Sequence, residues 1–357
     1  MLINTLRLKD FRNIKEVAAD LSPGTTIFYG GIGEGKTNLI EAIYLLSIGR
    51  SHRTSSSSDM IYWGSDEAAV KGEGESGTGK LSTLVKIKGE RKKVEVNGAS
   101  CGKTLDLLGN FRSVLFHSED LKIVKDDPSF RRKFLDIVIS QVSKNYAYSL
   151  RDYYKALRQK NHALAGGVAD NADIWDEQLA SLGAWITEVR AKTIKEMGSI
   201  AARMFTVLIG EDLQLSLGYS KSAPTDKVEY MEKLKQAKPF DVARGRTSLG
   251  PHRDDIEIKV NGKSARQFAS SGEQKVIMLS LKMAEVEFIK GMTGEEPLLL
   301  LDDVFSSIDE RRSKALLGST GNGSQCIITT TDLNSVQRDL LRDAKLYEVK
   351  DGGIKGS

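Results

Sequence analysis

A glycine-rich loop near the start of the chain carries the clearest chemical signal in the sequence. Its spacing matches G-x-x-x-x-G-K-[ST], in which glycines let backbone N–H groups face a phosphate chain without an intervening side chain. The lysine of this pattern contacts the β- and γ-phosphates of ATP, and the hydroxyl residue after it binds Mg²⁺. The predicted nucleotide-binding residues are Gly30, Gly31, Ile32, Gly33, Glu34, Gly35, Lys36, Thr37 and Asn38, with Thr37 also a metal ligand.

A pair of acidic residues follows the apolar run at 298–301. Asp302, at the end of such a strand, can hold Mg²⁺ directly or through water, and Asp303 can orient or deprotonate an attacking water. The competing interpretation is an Asp that only caps the next helix. The glycine loop elsewhere in the chain favours a hydrolytic site, with Lys36 and Asp303 as catalytic residues and Asp302 as a second metal ligand.

A serine- and glycine-containing segment precedes a predicted helix and resembles the LSGGQ or LSGGE signature of ABC-type ATPases. It comprises Ser270-Ser271-Gly272-Glu273-Gln274. Ser270 and Gly272 would meet a phosphate at the helix N-terminus. A plain N-terminal cap, with Glu273 or Gln274 reaching back, is the alternative. Its position before the acid pair favours the signature, as do two later segments: Ser306-Ser307-Ile308-Asp309 resembles the D-loop, and Thr331-Asp332 takes the place of the switch histidine.

The elements that must position these residues follow an α/β pattern. Residues 25–29 form a β-branched and aromatic run before the glycine loop, and residues 38–46 have the apolar spacing of a helix after it. Residues 298–301 and 327–330 are apolar runs without a polar face, as central parallel strands should be. Residues 81–88 and 92–97 suggest an antiparallel meander.

The middle of the chain changes to long helical periodicity. Residues 129–163 and 173–208 lack proline, and in the second stretch apolar residues step by four, three, four and three. That seam comprises Trp175, Leu179, Leu182, Ile186 and Val189. These patterns predict a compact helical arm, at 126–240, inserted into an α/β fold. The resemblance to ABC-type ATPases implies that residues 1–125 and 241–357 form an ABC-type P-loop ATPase head.

Composition excludes several other classes of protein. With 40% hydrophobic and 28% charged residues, the chain has the composition of a folded globular protein. Two cysteines rule out a disulfide scaffold, and four histidines without zinc-binding spacing leave little room for a histidine-built metal site. The net charge of +4 is too small to indicate a nucleic-acid partner by itself. A charged N-terminus and the lack of any long uncharged apolar run predict a cytoplasmic protein without a membrane partner.

Taken together, the motifs resemble the RecF family of bacterial recombination-repair ATPases, in the SMC and Rad50 group. GRSHRT and GPHRDD are specific to that family and not to P-loop proteins in general. The resemblance is carried by Phe11-Arg12-Asn13, Gly35-Lys36-Thr37-Asn38-Leu39, Gly49-Arg50-Ser51-His52-Arg53-Thr54, Arg131-Arg132-Lys133-Phe134-Leu135-Asp136, Gly250-Pro251-His252-Arg253-Asp254-Asp255 and Leu301-Asp302-Asp303-Val304.

The resemblance implies an ATP-dependent homodimer, binding to DNA where duplex meets single strand, and loading of RecA with RecO and RecR as partners. It adds Arg12 and Asn13 to the nucleotide-binding residues, and it places Glu119 in the loop that senses Mg²⁺ and the γ-phosphate. In the ABC arrangement, Ser270 and Gly272 of one subunit cover the ATP of the other. The implied activity is a weak, DNA-stimulated ATPase.

Two positions depart from the family pattern. Ile32 replaces an asparagine of the glycine loop, where the side chain would contact nucleotide or the facing subunit. Where the family has F-S-P-E-D-L, this chain has Phe116-His117-Ser118-Glu119-Asp120-Leu121, so Glu119 is kept but the preceding proline is lost.

Two basic segments are candidate DNA contacts. Arg50 and Arg53 lie in a polar loop that reaches phosphate or DNA in the SMC group, although a solvated basic turn is the alternative. Lys144, Arg151, Lys155 and Arg158 share one face of a predicted helix, with tyrosines interleaved at 146, 148, 153 and 154. Such a stripe can follow a phosphate backbone, or it can be a solvated face over a packed tyrosine seam.

The sequence leaves a second function open, a DNA-binding scaffold that uses ATP only as a dimerisation switch. An ATPase subunit of a transporter is disfavoured because the helical insert is larger than such subunits carry. An OLD-type ATPase–nuclease is disfavoured because nothing after the head supplies a second acidic metal site.

Overall fold

The computed structural model describes residues 1–77, 79–166, 169–210, 212–305, 310–319, 324–336 and 338–356. Contacts between Cα atoms divide the chain into two compact units. The first unit comprises Met1–Asp120 and Glu285–Ser357, and the second comprises Leu121–Ala284.

An antiparallel meander forms one sheet of the first unit. Its strands are β1 (Leu2–Phe11), β2 (Ile14–Asp20), β4 (Glu67–Ser76), β5 (Gly79–Lys88), β6 (Arg91–Val96) and β7 (Ala99–Cys101), in the order β2-β1-β4-β5-β6-β7. Burial alternates along β4 and β5, so one face of this sheet is packed and the other is open to solvent. The β5–β6 pair confirms the predicted meander.

A mostly parallel sheet forms the other layer of the first unit. Its strands are β3 (Thr25–Tyr29), β8 (Ser113–Phe116), β12 (Leu298–Asp302), β13 (Cys326–Thr330), β14 (Lys345–Lys350) and β15 (Gly353–Gly356), in the order β15-β14-β3-β13-β12-β8. All neighbours are parallel except β14 and β15. The two apolar runs near 298 and 327 are adjacent central strands, as predicted, because only such strands bury both faces.

Helix α1 (Lys36–Ile48) lies between the two sheets and contacts strands of both. It is buried on nearly all sides, and Leu39, Ile40, Ile43 and Leu46 are fully buried. A helix of this kind needs cover on every face, which the two sheets provide. Its N-terminus follows the glycine loop directly, so the packing of α1 fixes where that loop lies.

Short 3₁₀ turns and two helices complete the described part of the first unit. They are Ser58–Met60, Thr104–Leu107 and Leu333–Ser335, with α9 (Glu310–Ser319) and α10 (Arg338–Arg342). A fourth 3₁₀ turn, Ser118–Leu121, ends the first segment of this unit.

The second unit is helical, with one small antiparallel sheet. Its helices are α2 (Lys122–Lys125), α3 (Pro128–Val142), α4 (Lys144–Ala165), α5 (Asp176–Ile209), α6 (Lys227–Arg244), α7 (Ala265–Phe268) and the beginning of α8 (Ser271–Thr293), with a 3₁₀ turn at Ala169–Trp175. Its strands are β9 (Leu215–Ser220), β10 (Asp255–Val260) and β11 (Lys263–Ser264), in the order β11-β10-β9. In the described part of the chain, no helix is long and apolar enough to span a membrane.

The bounds of this unit differ from the predicted arm at 126–240, because residues 241–284 group with the helices. Strand β10 pairs with β9, which follows α5. Arg131 on α3 also forms a bidentate ion pair with Asp255 at the start of β10, with Nε–Oδ1 at 2.7 Å. These long-range contacts are not visible in helical periodicity.

The helical stretch predicted at 129–163 is two helices. Helix α3 ends at Val142, and Ser143 caps α4 by accepting a hydrogen bond from the backbone N–H of Tyr146 at 3.2 Å. Helix α5 packs against α4, α6 and β9. Its most deeply buried residues include Leu179, Ile186 and Arg190, so an ionised side chain lies within the predicted apolar seam.

Candidate functional site

The glycine loop follows the end of β3, and two of its glycines lie where a Cβ would meet a neighbouring atom. Gly30 and Gly35 have φ angles of 154° and 109°. A Cβ on Gly30 would collide with the carbonyl oxygen of Val349, and one on Gly35 would lie 2.6 Å from Oδ1 of Asn13. Both glycines therefore allow a close approach that no other residue permits.

Lys36 begins α1, and its side chain turns back across the glycine loop. Its Nζ donates hydrogen bonds to the carbonyl oxygens of Gly30 at 2.9 Å and Gly31 at 2.5 Å. Burial lowers the pKa of Lys36, while three nearby carboxylates act in the opposite direction. These are the carboxylates of Asp303, Asp302 and Glu34. The loop thus holds a cation where the motif requires one.

The two predicted metal ligands meet, although 264 residues of sequence separate them. Thr37 Oγ1 donates a hydrogen bond to Asp302 Oδ1 at 2.9 Å, and Thr329 Oγ1 donates to the same oxygen at 2.7 Å. Adjacent oxygen ligands of an octahedral Mg²⁺, each bound at 2.0–2.1 Å, are about 2.9 Å apart. The separation of the Thr37 and Asp302 oxygens therefore suits two neighbouring positions around that ion.

A Mg²⁺ ion bound by Thr37 and Asp302 would have few other protein ligands. Among the described residues, no group of three or more His, Cys, Asp and Glu side chains could hold a metal. Mg²⁺ commonly keeps several waters and binds one or two protein groups together with substrate phosphates. The pair formed by Thr37 and Asp302 fits that mode of binding.

Asp303 has an unusual backbone for a non-glycine residue. Its φ angle is 51°, in the left-handed region, and its N–H donates to the carbonyl oxygen and the hydroxyl of Thr329, both at 3.2 Å. Left-handed conformations of non-glycine residues concentrate at functional sites. Asp303 therefore lies in a left-handed turn directly after Asp302, at the end of β12.

The structure shows the surroundings of three further residues in or beside the glycine loop. Asn13 accepts a hydrogen bond from Asn38 Nδ2 at 2.8 Å, and both belong to the predicted nucleotide-binding set. Glu34 instead anchors the loop, because its carboxylate accepts from the N–H of Asp351 at 2.5 Å and its carbonyl from that of Gly352 at 3.0 Å. Ile32 is 93% exposed.

A buried glutamate next to the loop holds two arginines, and sequence reasoning missed it. Glu41 is fully buried on α1 and accepts two hydrogen bonds from Arg12, at 2.9 and 2.6 Å. Ser51 also donates to it, and Arg53 Nη1 lies 3.2 Å away. Burial alone would raise the pKa of Glu41, but the hydrogen bonds from Arg12 and Ser51 and the arginine charges keep it below its ordinary value. Arg12 also donates to the carbonyl oxygen of Asp59 at 2.6 Å.

Glu119 follows the strand next to the one that carries Asp302. Strands β8 and β12 are parallel, so their carboxyl ends lie side by side. The N–H of Glu119 donates to Nδ1 of His117 at 3.1 Å, and the His117 ring stacks on His52 with centroids 5.2 Å apart. Burial, followed by the charge of His117, lowers the pKa of His52 to about 4, so this ring is neutral near pH 7.

The signature segment belongs to the second unit, at the N-terminus of α8. The N–H of Ser270 donates to Glu273 Oε2 at 2.6 Å, and the N–H of Glu273 donates to Ser270 Oγ at 3.3 Å. This reciprocal pair is the capping box of the alternative interpretation. The hydrogen bonds from Ser270 also lower the pKa of Glu273. Ser270 and Gly272 are both exposed.

The basic stripe on α4 is less uniform than its spacing suggests. Lys144, Lys155 and Arg158 are exposed. Arg151 forms an ion pair with Asp152 at 2.7 Å and lies over the ring of Tyr148. The interleaved tyrosines at 146 and 153 are buried, so they pack the core and do not face solvent.

The structure describes only one of the two remaining predicted motifs, the segment after β13. The segment predicted to resemble a D-loop, residues 306–309, lies outside the described residues. After β13, Oδ1 of Asp332 accepts a hydrogen bond from the N–H of Asn334 at 2.8 Å and caps a 3₁₀ turn.

Comparisons with known proteins identify the family of this chain. The model of the RecF/RecN/SMC N terminal domain matches residues 2–352. The DNA replication and repair protein RecF of Oenococcus oeni is 37% identical over 99% of both chains. That of Halothermothrix orenii is 38% identical over 99% of this chain and 98% of the relative.

Solved structures of a RecF protein and of an Smc head are also similar to this chain. A structure of the recombination mediator protein RecF-ATPrS in the RecFOR pathway matches with a TM-score of 0.91 and 32% identity, over 99% of this chain and 98% of the other. An Smc head bound to the C-winged helix domain of ScpA matches with a TM-score of 0.56 at 18% identity, over 100% and 97%, and shows the fold alone. The predicted ABC-type ATPase head with a helical insertion is confirmed, and the chain belongs to the RecF family of DNA replication and repair proteins.

Proposed function

We propose that this chain is an ATP-driven, DNA-binding protein of recombinational repair and replication. One observation carries the proposal: the Thr37 hydroxyl meets the Asp302 carboxylate at 2.9 Å, next to a glycine loop that holds the Lys36 ammonium. This is the constellation that binds Mg²⁺ and the β- and γ-phosphates of ATP in P-loop proteins. The full-length similarity to RecF proteins supports the same function.

Each residue of the loop has a defined task in ATP binding. The backbone of residues 30–35 surrounds the phosphates, and Lys36 exchanges its two carbonyl contacts for phosphate oxygens. Thr37 and Asp302 hold Mg²⁺, which neutralises charge on the β- and γ-phosphates when it is bound. Asn13 and Asn38 line the loop, and Arg12 supplies a cation beside it.

Hydrolysis requires a carboxylate to position water in line with the γ-phosphate. Asp303 is the residue we assign to this task, because it directly follows the proposed Mg²⁺ ligand Asp302 and has a left-handed backbone of the kind that concentrates at functional sites. Glu119, at the end of the neighbouring strand, responds to Mg²⁺ and the γ-phosphate.

The signature segment serves a second copy of the chain. The N-terminus of α8 presents exposed Ser270 and Gly272, and a helix N-terminus favours an anion. In the proposed homodimer, these residues cover the ATP held by the partner's glycine loop, so that the dimer forms with ATP and separates after hydrolysis.

The proposed partners are DNA, RecO and RecR, and the proposed location is the cytoplasm. A RecF structure at 32% identity is described within the RecFOR pathway, which supports RecO and RecR as partners. The exposed cations Lys144, Lys155 and Arg158, with Arg151 between them, offer a first DNA contact at duplex–single-strand junctions. In this function the dimer helps RecO and RecR to load RecA.

A DNA-binding scaffold that uses ATP only as a dimerisation switch is the second candidate. The exposed Ile32 favours it, because an apolar side chain stands where the family pattern has an amide that can contact nucleotide or a facing subunit. The two candidates differ in whether DNA changes ATP turnover.

Asp303→Asn distinguishes these functions in one experiment. The variant should bind ATP normally, because Lys36, Thr37 and Asp302 remain, yet lose at least about a hundredfold in turnover, since general-base catalysis contributes roughly 10²–10⁴. Turnover is measured with and without junction DNA, and dimerisation by sedimentation with ATP and Mg²⁺. Wild-type turnover that DNA stimulates supports the ATPase. Turnover that neither DNA nor Asp303→Asn changes would leave ATP as a switch only.

A further inference from the structure

The open face of the antiparallel sheet carries a cluster of cations that the proposed function does not use. Strands β5 and β6 form a hairpin, and its four outward positions nearest the turn carry exposed basic residues, which we call the hairpin cations. They are Lys86, Lys88, Arg91 and Lys93. Within the described part of the chain, none of the four forms an ion pair.

The register of the hairpin places like charges directly opposite each other. Lys86 pairs with Lys93, and Lys88 pairs with Arg91. Directly opposite side chains on one face have Cβ atoms about 4.5–5.5 Å apart, and like charges at that distance destabilise a sheet. Two such pairs in succession therefore act against the stability of the hairpin unless an anion lies over them.

Two acids lie beside this cluster on the same face, but in the described part of the chain neither forms an ion pair with a hairpin cation. They are Glu67 on β4, which lies directly opposite Lys88, and Glu95 on β6, which lies directly opposite Leu84. The acid in the hairpin turn, Glu90, instead accepts hydrogen bonds from Ser56, Ser57 and Ser58, which lower its pKa to about 2.

The hairpin is also held firmly in place. Lys92 points to the packed side and donates to the carbonyl oxygen of Gly49, which caps the end of α1, at 2.9 Å. Glu90 attaches the hairpin turn to Ser56, Ser57 and Ser58. The backbone positions that carry the hairpin cations thus form an anchored array, about 6.8 Å apart along a strand and about 4.8 Å between strands.

We infer that the hairpin cations bind the phosphate backbone of duplex DNA, an inference that rests on the proposed function. Charge complementarity selects a polyanion. Since no outward residue of β1, β2, β4, β5 or β6 is aromatic, the face offers nothing on which unpaired bases could stack. A backbone contact of this kind is independent of sequence. Lys9 on β1 extends the array. It pairs with Ala69 on β4, and Ala69 pairs with Lys86 on β5, so the three residues lie in one row across the sheet.

The test uses Lys86→Gln with Lys93→Gln, which removes two charges and one repulsive pair. Binding of a labelled 30-base-pair duplex is followed by anisotropy across a salt series, with ATP and Mg²⁺ present. The slope of log affinity against log salt should fall by about 1.8, and affinity at 0.1 M salt by roughly tenfold to a hundredfold, for two lost phosphate contacts. The melting temperature should stay equal or rise.

Two control variants make the result specific. Lys233→Gln with Lys235→Gln removes the same charge from exposed positions on α6, and it should leave affinity within about twofold. Lys86→Arg with Lys93→Arg keeps the charge and should keep the slope. An unchanged slope in the glutamine variant, or an equal loss in the α6 control, overturns the inference while the proposed function stands.

Two further outcomes separate the alternatives. Wild type that does not bind DNA at all refutes the inference and the proposed function together. Poly-L-glutamate serves as the second probe. If its binding depends on Lys86 and Lys93 while duplex binding does not, the surface belongs to an acidic protein and the inference is overturned.

Discussion

Each unit of this molecule buries a carboxylate paired with arginine, and the two sites differ in how far the arginine is closed off from water. In the second unit, Arg190 has no exposed surface and donates to both oxygens of Asp136, to the Tyr146 hydroxyl and to the carbonyl oxygen of Pro251. In the first unit, the side chain of Glu41 is fully buried, but its partners Arg12 and Arg53 keep 16% and 45% of their side-chain surface exposed.

The difference in arginine exposure indicates that the two carboxylate–arginine pairs have separate roles. All the contacts of Arg190 are internal, and although burial alone would lower its pKa, the charge of Asp136 raises it well above the ordinary value. Such a pair fixes one arrangement of α3, α4 and α5. Arg12 and Arg53 are anchored at one end by Glu41 and reach solvent beside the glycine loop, so they can take a phosphate as an additional partner.

The largest effect on stability should come from Arg190→Met. Removal of the guanidinium leaves Asp136 buried without its counter-ion, which costs about 3–5 kcal/mol. The free energy of unfolding, measured by urea denaturation, reports the loss. As a control, Arg190→Met combined with Asp136→Leu removes both charges and should recover much of it. If the single variant is as stable as wild type, the pair is not the organising contact of the second unit.

Arg12→Gln should have a smaller effect on folding and a visible effect on the nucleotide. Ser51 and Arg53 still contact Glu41, so unfolding free energy should fall by about 1–2 kcal/mol. ATP affinity should fall roughly tenfold, or about 1.4 kcal/mol. Isothermal titration measures the affinity, and Arg7→Gln at an exposed position of β1 is the matched control. Equal ATP affinity in the two variants would assign Arg12 to structure alone.

The smallest effect is a dependence of stability on pH through Glu41. Its pKa in the folded chain is lowered, so the stability it contributes is present above the unfolded value of about 4.3 and is lost as pH falls through the folded value. Unfolding free energy of wild type and Glu41→Gln is compared between about pH 6 and pH 3. The difference should shrink in acid; a difference independent of pH would mean that the charge of Glu41 contributes nothing.

The sequence predicted the parts of the site that depend on local spacing. Lys36 and Thr37 follow from one contiguous motif, and Asp302 from an apolar strand with an acid at its end. Glu41 was missed because an acid within a helix normally indicates a solvent-facing side. Only the packing of α1 between two sheets shows that its side chain is buried.

Long-range pairing accounts for the other differences. The segment near Asp255 was predicted to belong with the head, but its contacts with Arg131 and β9 place it in the second unit. The sequence shows the four hairpin cations but not that they form a cluster, because strand register decides which side chains lie opposite each other. Ser143 is a standard helix cap, but uninterrupted periodicity on both sides concealed the break.

The central claim, that the glycine loop and the end of β12 form an ATP site, is tested most directly by ATP binding to Lys36→Met. The lysine is the cation that the loop holds for the β- and γ-phosphates, and methionine keeps its length without its charge. We expect ATP affinity to fall at least about a hundredfold, with an unfolding midpoint equal to wild type, whereas Lys9→Met on β1 keeps normal affinity. Wild-type ATP affinity in a folded Lys36→Met variant would contradict the account.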